Sequence, residues 1–284
     1  MRLAVLLAAL FAFPAFAAGP VALPPNELLN WSGDGGDLQA FTSDDFAITL
    51  TIAGDDAERM VTLTVEQAGE TAEVSGLSAG TGYGQLGVFA FDENGMRSAI
   101  FGVYSGGAHC CTTFYSVTET ADGLVTGEIG TVDGDGLVTD IDGDGIFEMP
   151  LWDGRFGYAF DAFAFAYPPQ LIMKAKDGVA YDASTDPRFA SYFESELEAA
   201  RGSCGGETWD LGACAGLLGM AARLGTFEVE LATIETALAA GKKTSGWDEF
   251  DICIDDACSE KYTGTDFAEA IEVALTAWRY LPPR

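Results

Sequence analysis

One histidine, His109, is all that this chain of 284 residues contains, and 14 lysines and arginines stand against 44 aspartates and glutamates. The single imidazole excludes every histidine-dependent triad that does not use His109, and it excludes a His-Glu-x-x-His zinc helix. The shortage of cations excludes a surface built for polyanions. A formal charge of −30 repels nucleic acid and anionic lipid at long range and attracts cations or basic partners. A phosphate-binding Gly-rich loop ending in Lys-Ser or Lys-Thr is also missing. The apolar run from Leu3 to Phe16 is too short to span a bilayer. What is present in quantity is apolar residue, at 48%, which excludes a wholly disordered acidic chain and places the acidity on the surface of something folded.

Arg2 followed by the apolar run from Leu3 to Phe16, ending in Ala15-Phe16-Ala17, reads as a secretory signal peptide cleaved before Ala18. With no cysteine near that point, a lipid-modified terminus is not expected. The expected location is periplasmic or secreted. Six cysteines in an exported chain then make disulfides the default. Cys204 and Cys214 are ten apart across a Gly-rich turn, and Cys253 and Cys258 are five apart across an acidic one, so each couple is expected to pair locally. Cys110 and Cys111 are either linked to each other, which strains the peptide unit, or each to a distant partner.

The apolar spacing changes period once along the chain. Residues 18–40 read as an extended opening segment with three prolines. Residues 46–52 and 60–65 alternate as strands of a hairpin, and further strands are expected at 85–91, 99–104, 112–117, 123–129 and 157–165. From residue 185 the period becomes helical. Thr185-Asp186-Pro187 starts a helix carrying Phe189, Tyr192, Phe193 and Leu197; two more follow through Leu224 and Leu238, and Asp266 with Glu269 caps a fourth. The expected class is α+β: a signal peptide over 1–17, an antiparallel β-sandwich or partial propeller-like sheet over 18–182, and helical hairpins over 183–284.

The sharpest motif lies between these halves. Asp140, Asp142, Asp144 and Glu148 occupy positions one, three, five and nine of a tight loop, with Gly145 permitting the turn and the Ile146 carbonyl at position seven. Ca²⁺ takes six to eight oxygen ligands, and this spacing supplies a set of them. Position twelve is Leu151 rather than a bidentate Glu, and short strands flank the loop, so an EF-hand is excluded. In so acidic a chain the same cluster can also be a bare solvated turn. The second cluster, Asp133-Gly134-Asp135-Gly136, is not a further copy, because position nine counted from Asp133 is Ile141. It is expected to be a solvated turn, with lending Asp133 or Asp135 to the same cation as the alternative.

The loop resembles the nine-residue aspartate loops of integrin-type FG-GAP and VCBS-like repeats, in which calcium staples a turn between strands. Together with Gly106-Gly107-Ala108-His109-Cys110-Cys111 before it and the aromatic segment after it, the region resembles uncharacterised exported bacterial proteins that carry one such loop. The resemblance covers about residues 85–190 and implies no assigned reaction.

His109 beside two cysteines offers soft ligands or a nucleophile pair. Neighbours on a strand point to opposite faces, and export favours oxidation, so a disulfide region with His109 as a hydrogen-bonding residue is the preferred reading. The aromatics Tyr158, Phe160, Phe163, Phe165 and Tyr167 are expected to fill a core, with a sugar or peptide platform as the alternative use. The functional expectation is an exported, calcium-stabilised binding or structural module, with an envelope protein or glycan as candidate partner, no nucleic acid and no membrane span. The alternative is a carboxylate-dependent hydrolase acting on envelope polysaccharide, which requires two acids facing across a cleft.

Overall fold

The computed structural model describes residues 19–54, 59–80, 82–107, 111–255 and 257–283. The expected signal segment, His109 and Cys110 lie outside the described residues. In chain order the strands of the first half are β1 (Val21–Ala22), β2 (Leu29–Ser32), β3 (Leu38–Ser43), β4 (Phe46–Ala53), β5 (Met60–Gln67), β6 (Glu70–Ser78), β7 (Tyr83–Ala90), β8 (Arg97–Tyr104), β9 (Thr112–Thr120), β10 (Gly123–Val132), β11 (Met149–Trp152), β12 (Gln170–Lys176) and β13 (Val179–Asp182). Three sheets result, ordered β1-β3-β4-β5-β6, β10-β9-β8-β7-β2 and β11-β12-β13. All pairings in them are antiparallel except β1 with β3.

The first sheet follows from simple alternation. Phe46, Ile48, Leu50 and Ile52 of β4 and Val61, Leu63 and Val65 of β5 are buried, while the residues between them are not. These side chains form one core with Leu86 and Val88 of β7 and Phe101 and Val103 of β8, so the first two sheets pack face to face as a sandwich. Strands β7 and β8 lack alternation and are buried along almost their whole length. The reason is a third layer. Phe89 and Ile100, on the opposite face, share a second core with Met149, Leu151 and Ala175 of the third sheet. A strand covered on both faces keeps few polar residues, and the two buried here, Gln85 and Ser98, are hydrogen-bonded to the Gly136 N–H and to the Thr118 hydroxyl.

After Asp182 the chain turns helical: α1 (Ala190–Cys204), α2 (Leu211–Arg223), α3 (Phe227–Ala239) and α4 (Phe267–Ala277). Two small strand pairs, unexpected from the sequence, are added by β14 (Thr208–Asp210) with β15 (Lys243–Ser245), and by β16 (Phe250–Cys253) with β17 (Lys261–Gly264). Helix α2 is apolar all round and is buried from Leu211 to Ala221, with the other three helices packed about it. Asp210 caps it by accepting from the Ala213 N–H at 3.1 Å, and Asp266 caps α4 through the Glu269 N–H at 2.9 Å. The expected pairs Cys204–Cys214 and Cys253–Cys258 are both formed, and Cys111 is disulfide-bonded. Among the described residues no helix is long and apolar enough to cross a membrane.

The strand expected at 157–165 is absent. Asp153 instead caps a 3₁₀ turn at Gly154–Phe156, and a second such turn spans Phe163–Phe165. Burial explains why local alternation failed. Phe156 and Phe160 are drawn into the core around α2, so this connection belongs by packing to the helical half. Tyr158 and Phe165 stay 60% and 56% exposed, and the expectation that this aromatic run fills a core is corrected for them.

Half-buried phenols set an alkaline limit on this packing. Burial raises the Tyr181, Tyr192 and Tyr280 hydroxyls above the usual value, Tyr181 to about 12 with Glu93 adding to the effect. A folded state that holds a proton more tightly than the unfolded chain loses stability as pH rises from the unfolded pKa through the folded one. We therefore expect the melting temperature to stay level from about pH 7 to 9 and to fall steadily above pH ~10. A series of thermal melts from neutral to alkaline pH checks this, and a level profile to pH ~12 would refute it.

Candidate metal centre

The Asp140 loop is a closed unit. At its base Thr139 and Glu148 pair by two backbone hydrogen bonds of 2.9 and 2.8 Å, and the Phe147 N–H donates to the Ala90 carbonyl at 2.8 Å, fixing the loop to β7. Inside, each acid is turned onto the loop's own backbone. Asp140 accepts from the Gly143 and Gly145 N–H groups at 2.8 and 3.0 Å, Asp142 from the Asp144 N–H at 3.2 Å, and Asp144 from the Ile146 N–H at 2.8 Å. Aspartates that bond two residues onward are what impose such a turn. Gly145 adopts φ +84°, a conformation that other residues rarely take, as the sequence required.

Glu148 comes from the far side of the turn. Its carboxylate is fully buried and accepts from the Ile141 N–H at 2.8 Å. Oxygen atoms of Asp140, Asp142 and Glu148 lie within 4.8 Å of one another, close enough to hold one metal ion. The structure thus brings together three of the five expected ligands. Asp144 is the outermost, turned toward Arg188, and Ile146 is half-buried beside it. Asp133 and Asp135 stay outside the triad. Their turn is held elsewhere, with Gly134 accepting from Thr112 and the Gly136 N–H donating to Gln85.

Two cations reach the same carboxylates, and neither was legible in the motif. Lys174 of β12 is 1% exposed, and its ammonium lies 2.8 Å from Glu148 Oε1. Arg188, just before α1, places Nη1 3.0 Å from Asp142 and 2.9 Å from Asp144, and Nη2 2.9 Å from Asp186. Glu148 Oε1 and Asp142 Oδ2 are buried without an aligned hydrogen bond, so these contacts are ion pairs by distance alone. Burial raises the Glu148 carboxyl above its ordinary value, the Lys174 contact and the Ile141 N–H oppose that, and Asp142 adds repulsion. Hydrogen bonds with Arg188 hold Asp186 below the usual carboxylate range. The donor set is all oxygen and negatively charged, which suits a hard cation rather than a soft one. One signal could have exposed Lys174 in the sequence: in a chain so poor in cations, a lysine inside the run Gln170–Lys176 has few reasons to be there except a buried acid.

The pentapeptide Gly76-Leu77-Ser78-Ala79-Gly80 spells Gly-x-Ser-x-Gly. Ser78 is the exposed last residue of β6, and β7 begins at Tyr83, so the strand-to-helix turn of a nucleophile elbow is not formed.

No family model matches this chain, and no solved structure matches it. An uncharacterised protein of Sinorhizobium fredii is 28% identical over 174 residues, which is 59% of this chain and 28% of the relative. A probable thylakoid lumen protein of Synechocystis is 30% identical over 100 residues, which is 34% of this chain and 30% of the relative. The chain therefore spans less than a third of the length of either curated relative.

Proposed function

We propose that this chain is an exported binding or structural module whose Asp140 loop is stabilised by Ca²⁺. The observation that carries the reading is the convergence of Asp140, Asp142 and fully buried Glu148 on one point inside a pre-wrapped turn. Asp144 and the Ile146 carbonyl would complete the ligand set after a small rearrangement at Arg188. Four loop carboxylates face two cations, Lys174 and Arg188, which leaves an excess of negative charge that a divalent ion relieves. Disulfides in the helical half and a relative named as a lumen protein support a location outside the cytoplasm.

The hydrolase alternative is less favoured. It needs two facing acids free to act; the apolar cleft beside β11 is lined by one, Asp133, and in the neighbouring cleft Asp251 is paired with Lys261 and Asp255 is turned onto Ser259.

The test is a pair of thermal melts, in chelator and in excess Ca²⁺. A site filled at about a hundredfold its dissociation constant adds about 2.7 kcal/mol, which for a chain of this size raises the midpoint by about 5–10 °C. Mg²⁺ at the same concentration should do less, because its smaller octahedral shell suits this loop poorly. Equal melts in chelator and in millimolar Ca²⁺ would remove the calcium reading.

A further inference from the structure

Glu148 hands the chain directly to β11, and β11 forms one wall of a cleft of about 520 Å³. The floor is apolar, built from Ile129 and Val132 of β10, Leu151 of β11 and Met173 of β12. Trp152 and Tyr158 stand on its rim, 42% and 60% exposed. Of the five large aromatics that the described residues leave exposed, these two line the cleft. Phe165 is on the same connection, and the Trp247 indole donates to the Tyr158 carbonyl at 3.0 Å. Single exposed apolar residues need no explanation; a cluster around a cleft does.

Two terminal strands border this cleft. β10 ends its sheet and pairs only with β9, and β11 ends its own and pairs only with β12. Residues 129–133 line the cleft consecutively, so a ligand there meets backbone as well as side chains. A terminal strand offers alternate N–H and C=O groups to whatever lies beside it. The register shift between Glu128 and Gly130 confines that offer to a short stretch, enough for a few residues and too little for open-ended sheet growth. An acyl chain would fill the apolar volume and leave this row unused. An extended peptide uses both. The charge points the same way: Arg155 is held by Asp153 through contacts of 2.8 and 2.6 Å, whereas Asp133 has no ion-pair partner among the described residues.

We propose that this cleft docks an extended segment of a partner protein by strand addition to β10, with a bulky apolar side chain between Trp152 and Tyr158 and a lysine or arginine against Asp133. The proposal deepens the binding-module reading and rests on it, but not on the cation loop. Backbone pairing supplies most of the affinity in this mode, so recognition tolerates sequence as long as apolar and basic positions alternate.

The test is fluorescence polarisation of the intact mature protein with a fluorescein-labelled, end-capped hexapeptide, Lys-Val-Trp-Val-Lys-Val. We expect saturable binding that weakens about tenfold in Trp152→Ala and in Asp133→Asn, both checked for native circular dichroism. N-methylation of alternate amides should abolish it, and replacing the lysines by glutamate should weaken it about tenfold or more. Unchanged binding of the N-methylated peptide, or displacement by laurate at equal concentration, would overturn strand addition in favour of a pocket for apolar small molecules. Absence of saturable binding up to about 1 mM peptide would overturn the site. Melting the same sample with and without Ca²⁺ separates the two readings, since a calcium response without peptide binding removes the cleft assignment alone.

Discussion

Replacing Gly216 by alanine should cost about 3 kcal/mol or more and lower the melting midpoint by about 10 °C. Helix propensity alone gives the opposite sign, because alanine favours a helix interior by about 1 kcal/mol over glycine. Packing decides. A Cβ on Gly216 would stand 1.7 Å from the Tyr167 carbonyl oxygen, a backbone atom that no rotamer change can move aside. Gly212 and Gly219 also face the connection before β12 but less closely, with Asp161 Cβ at 2.9 Å and Phe165 O at 3.0 Å from the one and Phe156 Cζ at 3.0 Å from the other. Helix α2 is enclosed by the three other helices and this connection, so it has no free side toward which to shift. Gly202 in α1 is the control, since nothing lies within 4 Å of its added Cβ. Gly202→Ala should leave the midpoint unchanged or raise it slightly, and similar melts for the two variants would show that α2 is not packed as described.

Removing the Lys174 ammonium should have a comparable effect for an electrostatic reason. The pair is almost wholly inside the protein, with Lys174 1% and Glu148 0% exposed. In Lys174→Met the aliphatic volume is roughly kept while the Glu148 carboxylate loses its counter-charge, a change that typically costs about 3–5 kcal/mol. The double variant Lys174→Met with Glu148→Gln removes both charges and should recover most of the loss. A divalent ion in the loop would supply the missing charge. Ca²⁺ should therefore stabilise Lys174→Met by more than it stabilises the parent protein. Equal calcium stabilisation in the two would indicate that the ion, if bound, does not reach Glu148.

The sequence made the sandwich legible where one face of a strand is wet. β4 and β5 announced themselves by alternation, and the four helices by their apolar spacing, the first and fourth also by the aspartates Asp186 and Asp266 at their starts. It was less informative wherever tertiary packing overrode local pattern. β6 is an edge strand with almost no buried residue and gave no apolar signal. The run after β11 alternates aromatics as a strand does, yet two aspartate-capped or tight turns break it so that Phe156 and Phe160 can meet α2. The same asymmetry holds at the candidate site. A nine-residue loop writes its own acids into consecutive sequence, so Asp140, Asp142 and Glu148 could be named in advance. Lys174 and Arg188 approach from 26 and 40 residues beyond Glu148, and only the pairing of β11 with β12 and the start of the helical half bring them in. The exposed cleft was invisible for the same reason, being shared among β10, β11, β12 and a connection that was expected to be a strand.

The central claim is that the Asp140 loop binds one Ca²⁺. Isothermal titration calorimetry of the chelator-treated protein tests it most directly, with Asp142→Ala as the paired variant. Asp142 contributes one of the three converging carboxylates and pairs with no core residue, so its removal leaves the strands on either side in place. The account predicts saturable binding with one ion per chain in the parent protein and none in the variant at the same concentrations. No saturable heat in the parent protein, or an unchanged isotherm in Asp142→Ala, would contradict it.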